Sequence, residues 1–208
     1  MREGLGPEPQ PRPLPGLPRV QGDLGNVPQR GRRRRRRVRR PVVTTPRTIV
    51  VVRHGKSSWK TNDPDIGRPL SSRGTRDAVV AGQQLARLTF DVALVSPATR
   101  AQQTWSALQM GGVSCADVRT TDALYHAWTP EVTGLLRELP DAARTVLVVG
   151  HEPTLSDLIL TLSGPSADRA AIEEKFPTSG VAVLVHDGDW SGLAPGAARL
   201  AAFEVPRG

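Results

Sequence analysis

The chain has 208 residues, 38% of them hydrophobic, and a formal net charge of +8. The positive charge belongs to residues 1–40, which hold twelve arginines against three acidic residues, whereas residues 41–208 carry a net charge of −1. The basicity of the whole chain is therefore no reason to interpret its folded part as a nucleic-acid-binding fold. The single cysteine, Cys115, excludes an intramolecular disulfide framework and a multi-cysteine zinc site, and it fits a reducing compartment.

Residues 1–46 are rich in proline, glycine and arginine. They hold nine of the nineteen prolines and six glycines but no aromatic residue, so they bury too little apolar surface to offset their chain entropy. We expect a disordered basic tail over residues 1–46 and a folded domain over residues 47–208. Two interpretations of the tail stay open. The tail is either a segment without a function, solvated or translated from a misplaced start site, or a basic arm that binds nucleic acid or an anionic membrane.

The sequence predicts neither a membrane span nor an export signal. No stretch approaches the ~18 uninterrupted apolar residues of a spanning helix. The arginine run is followed by a polar, proline-broken stretch rather than by the apolar segment of about 7–15 residues that a signal needs. We therefore expect a cytoplasmic protein without a transmembrane segment.

From residue 48 onward, buried strands alternate with amphipathic helices. Continuous apolar and β-branched runs indicate strands buried on both faces at residues 48–52, 91–95 and 145–149. A short strand is predicted at residues 118–120, and two late strands, antiparallel to each other, at residues 180–186 and 199–205. Helical spacing predicts helices at residues 71–88, 97–110, 131–139 and about 153–162. This alternation predicts an α/β fold, a three-layer α/β/α sandwich with a mostly parallel central sheet.

Basic side chains follow three of the predicted strands. Arg53 and His54 come directly after the first strand, Arg100 follows the second by five residues, and His151 follows the third. Because ligands bind outside the carboxyl ends of parallel strands, we expect these side chains to meet at one edge. The planar guanidinium group of arginine can donate paired hydrogen bonds to phosphate oxygens, and a neutral imidazole can attack phosphorus. The cluster predicts phosphoryl chemistry that needs no metal or other cofactor.

A zinc site is the weaker interpretation of the histidines. It would use His54, His126 and His151, but the sequence has no HExxH motif and no pair of histidines four residues apart.

These motifs resemble those of the histidine phosphatase superfamily, also called phosphoglycerate-mutase-like. The shared motifs are RHG at residues 53–55, SPATRAQQT at residues 96–104 and GHEP at residues 150–153. Two further segments, DIGRPLSSRG at residues 65–74 and ALY at residues 123–125, resemble the small phosphohistidine phosphatases of the SixA type. The resemblance covers about residues 47–206. It implies a hydrolase of phosphoric monoesters or phosphoramidates that forms a covalent phosphohistidine.

The resemblance also implies roles for individual side chains. His54 would be the phosphorylated nucleophile, and Arg53, Arg100 and His151 would complete the phosphate pocket. Lys56 and Ser57 would bind substrate at the mouth of this pocket, although Ser57 is equally well explained as a turn residue.

The identity of the general acid stays open. Larger members of the superfamily carry a glutamate in a D-x-L-x-E segment, and His126 occupies the corresponding position here. His126 is a candidate acid or a plain surface histidine, and Glu131 is a second candidate. An imidazole leaving group, whose conjugate acid has a pKa near 6.5, needs less help from an acid than an alkoxide does. We therefore expect cleavage of the P–N bond of phosphohistidine in proteins.

Two other functions stay open. The first keeps the chemistry and acts on small phosphate esters or nucleotides. The second is non-catalytic, either a phosphate-binding protein or a nucleic-acid-binding protein that acts through the tail. Only 18 residues separate Gly112 from Glu131, which leaves little chain for a lid over a small substrate and favours a phosphorylated protein as the partner. Trp59 and Trp128, in loops near the mouth, are candidates for substrate contact.

Overall fold

A single mixed sheet forms the centre of the structure, a computed structural model that describes residues 45–60, 62–126 and 128–208, without the side chain of His126. Within those residues the strands are β1 (Arg47–Arg53), β2 (Thr89–Val95), β3 (Ser114–Thr120), β4 (Thr145–Gly150), β5 (Val181–His186) and β6 (Ala198–Glu204). Their order across the sheet is β3-β2-β4-β1-β5-β6. The predicted tail, residues 1–46, lies outside the described residues except for residues 45 and 46.

The strands run in two directions. β3, β2, β4 and β1 run parallel to one another, whereas β5 is antiparallel to both β1 and β6. The predicted antiparallel pairing of the two late strands is confirmed. Because the four parallel strands share one direction, their carboxyl ends lie at the same edge of the sheet.

The middle of the central strand β1, residues 49–52, is apolar at every position. Ile49 and Val51 belong to one buried cluster, and Val50 and Val52 belong to a second. Successive side chains of a strand point to opposite faces, so the two clusters lie on the two faces of the sheet. Both faces are covered at these four positions, and the polar residues of β1 lie at its two ends.

Helices cover both faces and complete three layers. On the face of Val50 and Val52 lie α1 (Ser72–Leu85) and α2 (Thr99–Met110). On the face of Ile49 and Val51 lie α3 (Ala123–His126), α4 (Thr129–Arg137), α5 (Thr154–Leu162) and α6 (Arg169–Glu174). The predicted α/β/α sandwich with a mostly parallel sheet is therefore the fold. No helix in the described part of the chain has the length and apolarity that a membrane span requires.

The structure corrects several predicted boundaries. β3 begins at Ser114 rather than at residue 118, and α1 ends at Leu85 rather than at residue 88. α2 begins at Thr99, two residues after the predicted start. The short helices α3 and α6 were not predicted, because four and six residues are too few to show a helical period.

Candidate active site

The carboxyl ends of β1 and β4 place two histidines side by side. Arg53 pairs with Gly150 across the parallel strands, so His54 and His151, the next residues of the chain, enter the same edge of the sheet. Their ring centroids are 4.9 Å apart. Arg100 lies on the first turn of α2 and contacts His151. The structure thus brings together side chains that are up to 98 positions apart in the sequence.

His54 is 8% exposed, and its two ring nitrogens have different roles. Nδ1 lies 2.7 Å from the carbonyl oxygen of Gly55. A carbonyl only accepts hydrogen bonds, so Nδ1 carries the proton and Nε2 keeps a lone pair. Burial lowers the pKa of His54 to about 4; the Gly55 carbonyl opposes this, and the charges of Arg100, Arg53 and Arg68 add to it. The imidazole is therefore neutral at pH 7, as a nucleophile must be.

His151 is held in the opposite tautomer. Its Nδ1 accepts a hydrogen bond from Nε of Arg100 at 3.3 Å, so Nε2 carries the proton and donates it to Oγ of Ser96 at 2.8 Å. Burial, and after it the neighbouring His54 and Arg100, lower the pKa of His151 to about 3. Ser96 belongs to the SPATR motif, but sequence reasoning assigned it no role.

Arg53 lies beside the histidine pair. Its Nη1 donates to the carbonyl oxygen of Phe176 at 2.6 Å, and its charge contributes to the lowered pKa of both His54 and His151. Burial lowers the pKa of Arg53 itself, whereas the carboxylate of Glu152 opposes that shift. Arg53 and Arg100 together supply the fixed positive charge that a phosphoryl group requires.

Asp65 is a partner of Arg100 that sequence reasoning missed. Nη1 of Arg100 donates to the carbonyl oxygen of Asp65 at 2.6 Å, and Nη2 donates to Oδ2 at 3.0 Å. The hydroxyl of Tyr125 donates to the same Oδ2 at 3.0 Å. Burial tends to raise the pKa of Asp65, but hydrogen bonds from Tyr125 and Arg100 hold it below its usual value. Asp65 also forms an ion pair with Arg68 at 2.8 Å.

Two glycines fix the loop that follows His54. A Cβ atom on Gly55 would lie 2.6 Å from the carbonyl oxygen of Gly74, and one on Gly74 would lie 2.2 Å from the carbonyl oxygen of Lys56. The backbone of this loop therefore touches the start of α1, which only glycine permits at both positions. Ser71, the N-cap of α1, binds the same loop because its backbone NH donates to the Lys56 carbonyl at 2.8 Å.

The remaining predicted residues lie farther from the histidine pair or outside the described atoms. Lys56 is exposed, and Ser57 is half-buried and forms an isolated bridge with Leu70. Glu131 is exposed on the first turn of α4 and is absent from the described residues that line the cavity next to His151. His126 ends α3, and its side chain lies outside the described part of the structure.

A cavity of about 280 Å³ adjoins His151. Its described walls come from α3, the start of α4, the loop that leads into α5 and the first turn of α5, and they are Tyr125, Trp128, Thr129, His151, Glu152, Pro153, Thr154 and Asp157. Within the described residues, no group of three or more potential ligands is arranged to hold a metal ion.

The motifs and the fold have counterparts in known proteins. Residues 49–125 match the family described as Histidine phosphatase superfamily (branch 1). An uncharacterized protein of Mycobacterium tuberculosis is 44% identical over 162 residues, which cover 75% of this chain and 100% of that protein. A solved structure described as a SixA phosphohistidine phosphatase of Nakamurella multipartitia is 32% identical, covers 78% of this chain and 97% of its own, and has a TM-score of 0.69. The chain belongs to the histidine phosphatase superfamily.

The similarity of this histidine phosphatase to mutases is more limited. A 2,3-bisphosphoglycerate-dependent phosphoglycerate mutase of Bartonella bacilliformis is 42% identical over 67 residues, but these cover 28% of this chain and 31% of the mutase. The SixA structure from Nakamurella matches over nearly its whole length. The chain is therefore a phosphatase with the SixA-like α/β fold, and its substrate is a separate question.

Proposed function

We propose that this histidine phosphatase hydrolyses the P–N bond of phosphohistidine in other proteins, through a phosphoryl group carried on Nε2 of His54. The observation that supports this most is the state of His54. The side chain is buried and neutral, its Nδ1 proton is held by the Gly55 carbonyl, and Nε2 keeps its lone pair. His151 lies 4.9 Å from the ring of His54, and the charges of Arg53 and Arg100 act on that ring, which is the set of groups that an in-line attack on a phosphoryl group requires.

The first step transfers the phosphoryl group to the enzyme. Nε2 of His54 forms a bond to phosphorus while the P–N bond of the substrate breaks. The substrate imidazole, already protonated on its other nitrogen, takes the bonding electron pair and leaves as neutral imidazole. Arg53 and Arg100 stabilise the charge on the equatorial oxygens, and the Gly55 carbonyl stabilises the positive charge that develops on the His54 ring.

The second step returns the enzyme to its starting state. Water attacks phosphorus opposite Nε2 of His54, the P–Nε2 bond breaks, and its electron pair returns to the ring. The proton lost by the water leaves with inorganic phosphate or passes to solvent. His54 keeps its Nδ1 proton throughout, so it is again a neutral nucleophile.

The carboxylates near the histidine pair favour a leaving group that needs no strong acid. The pKa of Asp65 is held down by Tyr125 and Arg100 although burial opposes this, so its carboxylate stays ionised. Glu152 accepts a short hydrogen bond, 2.6 Å, from the hydroxyl of Ser156. Of the described carboxylates, Asp65 is ionised and does not supply a proton; without a strong acid an alkoxide leaves slowly, whereas imidazole leaves readily.

The test compares the full chain with its His54→Asn variant. Asparagine can still donate to the Gly55 carbonyl but cannot accept a phosphoryl group. Each protein receives a phosphohistidine peptide, p-nitrophenyl phosphate and a small alkyl phosphate, and release of inorganic phosphate is measured with EDTA present. We expect the wild type to cleave the phosphohistidine peptide fastest and the variant to lose at least about 10³-fold in kcat.

Two results would contradict this proposal. Comparable phosphate release by the variant would remove His54 from the reaction. Faster cleavage of the alkyl phosphate than of the phosphohistidine peptide would assign the enzyme to small esters instead. Equal thermal unfolding of the two proteins is the control that excludes misfolding of the variant.

A further inference from the structure

The cavity beside His151 lies where the leaving group of the reaction must go. Its described walls come from α3, the start of α4, the loop before α5 and the first turn of α5, and none comes from the loop that carries His54. A group attacked in line by His54 departs on the side away from His54. The part of the substrate that surrounds the leaving imidazole therefore meets the residues of this cavity.

The charged walls of the cavity are acidic. Glu152 and Asp157 line it, and no lysine or arginine is among its described lining residues. Asp157 is exposed on the first turn of α5 and forms no ion pair with another described residue. Arg169 lines the adjoining cavity of about 400 Å³, but its guanidinium is held by Glu173 at 2.9 Å and by the carbonyl oxygen of Leu160.

An aromatic side chain forms the outer wall of the same cavity. Trp128 is 78% exposed, so its ring is accessible to a substrate side chain. An aromatic face beside carboxylates is the combination that binds a cation, through the ring quadrupole and through charge. The cavity thus combines an exposed tryptophan, a carboxylate without an ion pair to any described residue, and direct contact with His151.

We propose that the cavity bounded by Trp128 and Asp157 is a subsite for a basic side chain that flanks the phosphohistidine in the substrate protein. This inference rests on the proposed phosphohistidine phosphatase activity. It implies discrimination by charge on the leaving-group side. A phosphorylated substrate whose remainder carries carboxylates or further phosphates meets Glu152 and Asp157 and is repelled, whereas a lysine or arginine next to the phosphohistidine is attracted.

The experiment uses the full chain and three phosphohistidine peptides of equal length. The two positions on each side of the phosphohistidine are all lysine in the first peptide, all glutamine in the second and all glutamate in the third. The initial rate of phosphate release gives kcat/KM for each. We expect kcat/KM to be about tenfold higher for the lysine peptide than for the glutamate peptide, the combined size of one exposed ion pair and one cation–π contact.

Three variants assign the preference to the cavity. Asp157→Lys reverses the local charge and should bring the ratio of lysine-peptide to glutamate-peptide kcat/KM to one or below. Trp128→Ala should raise KM for the lysine peptide about threefold, the loss of one exposed cation–π contact. Glu138→Lys is the matched control, because it makes the same charge change at the far end of α4 and should keep the wild-type ratio.

The outcomes separate this inference from the proposed function. Hydrolysis of all three peptides at equal rates would leave the phosphohistidine phosphatase standing and overturn the subsite. Equal loss of preference in Asp157→Lys and Glu138→Lys would also overturn it, because the preference would then come from the overall charge of the domain. No hydrolysis of any peptide, with p-nitrophenyl phosphate still cleaved, would overturn both the proposed function and the subsite.

Discussion

The two central histidines are buried as neutral rings, and this state is a property of their surroundings rather than of histidine. His54 donates its Nδ1 proton to the Gly55 carbonyl, and His151 donates its Nε2 proton to Ser96. Burial is the main cause that makes protonation of either ring unfavourable; the adjacent arginines add to it, and for His151 so does the neighbouring His54. The same positive charges that bind phosphate therefore help burial to keep the nucleophile unprotonated.

The lowered pKa of His54 predicts a loss of stability in acid. In the unfolded chain the histidine binds its proton near pH 6.5, whereas in the folded protein it does so near pH 4. Between these values the unfolded state binds more protons, so the free energy of unfolding falls as pH falls. From pH 7 to pH 5 the wild type should lose about 2 kcal/mol more than His54→Asn. Urea denaturation at both pH values measures this difference.

One result of this measurement would contradict the prediction. If the free energies of unfolding of the wild type and of His54→Asn fall in parallel between pH 7 and pH 5, then His54 titrates normally in the folded protein. It would then be exposed to solvent or compensated by a carboxylate, and the neutral nucleophile described above would lose its physical basis.

Among the elements, α1 and α2 are packed so closely that a glycine is required between them. A Cβ atom on Gly82 of α1 would lie 2.3 Å from the carbonyl oxygen of Leu108 on α2. Gly134 on α4 is the opposite case, because nothing lies within 4 Å of its Cβ position. Gly82→Ala should therefore destabilise the protein by about 2 kcal/mol, as overpacking does, and Gly134→Ala should stabilise it by about 0.5–1 kcal/mol through helix propensity.

Urea denaturation of the two variants checks this pair of predictions, each variant being the control for the other. If both variants change the free energy of unfolding equally, then the α1–α2 contact can move apart to accept a Cβ atom, and the prediction is wrong. The Gly82→Ala change should also lower phosphatase activity, because α1 and α2 hold the loop after His54 through Gly74 and Thr104.

The elements also show which parts of the site the sequence could predict. The buried strands can be predicted from the sequence because both of their faces are apolar. The residues that directly follow these strands can then be assigned to the carboxyl edge of the sheet. Asp65 could not be connected with Arg100 in the same way, because it lies 35 residues away in a loop without periodicity. The edge strand β3 was predicted too short, since its exposed positions are polar and only its last residues resemble a strand.

Across the whole molecule, charge around the active site is unevenly distributed. Arg68 lies 3.8 Å from the centre of the Trp59 ring, and its charge contributes to the lowered pKa of His54. Trp128 instead shares a cavity with Glu152 and Asp157. In the proposed reaction, cations would contact the phosphate and carboxylates would face the leaving group, although residues 41–208 are close to neutral overall.

The two exposed tryptophans report this asymmetry directly. Trp59 and Trp128 are 77% and 78% exposed, whereas the two other tryptophans, Trp105 and Trp190, are buried. Iodide, an anion, should therefore quench Trp59 more than caesium does, and the order should reverse for Trp128. In full-length Trp128→Phe and Trp59→Phe variants, the ratio of iodide to caesium quenching constants should differ by at least about twofold. Neutral acrylamide is the control for exposure. Equal ratios in the two variants would mean that the field is uniform around the site, and the acidic walls of the cavity could then not select a basic substrate.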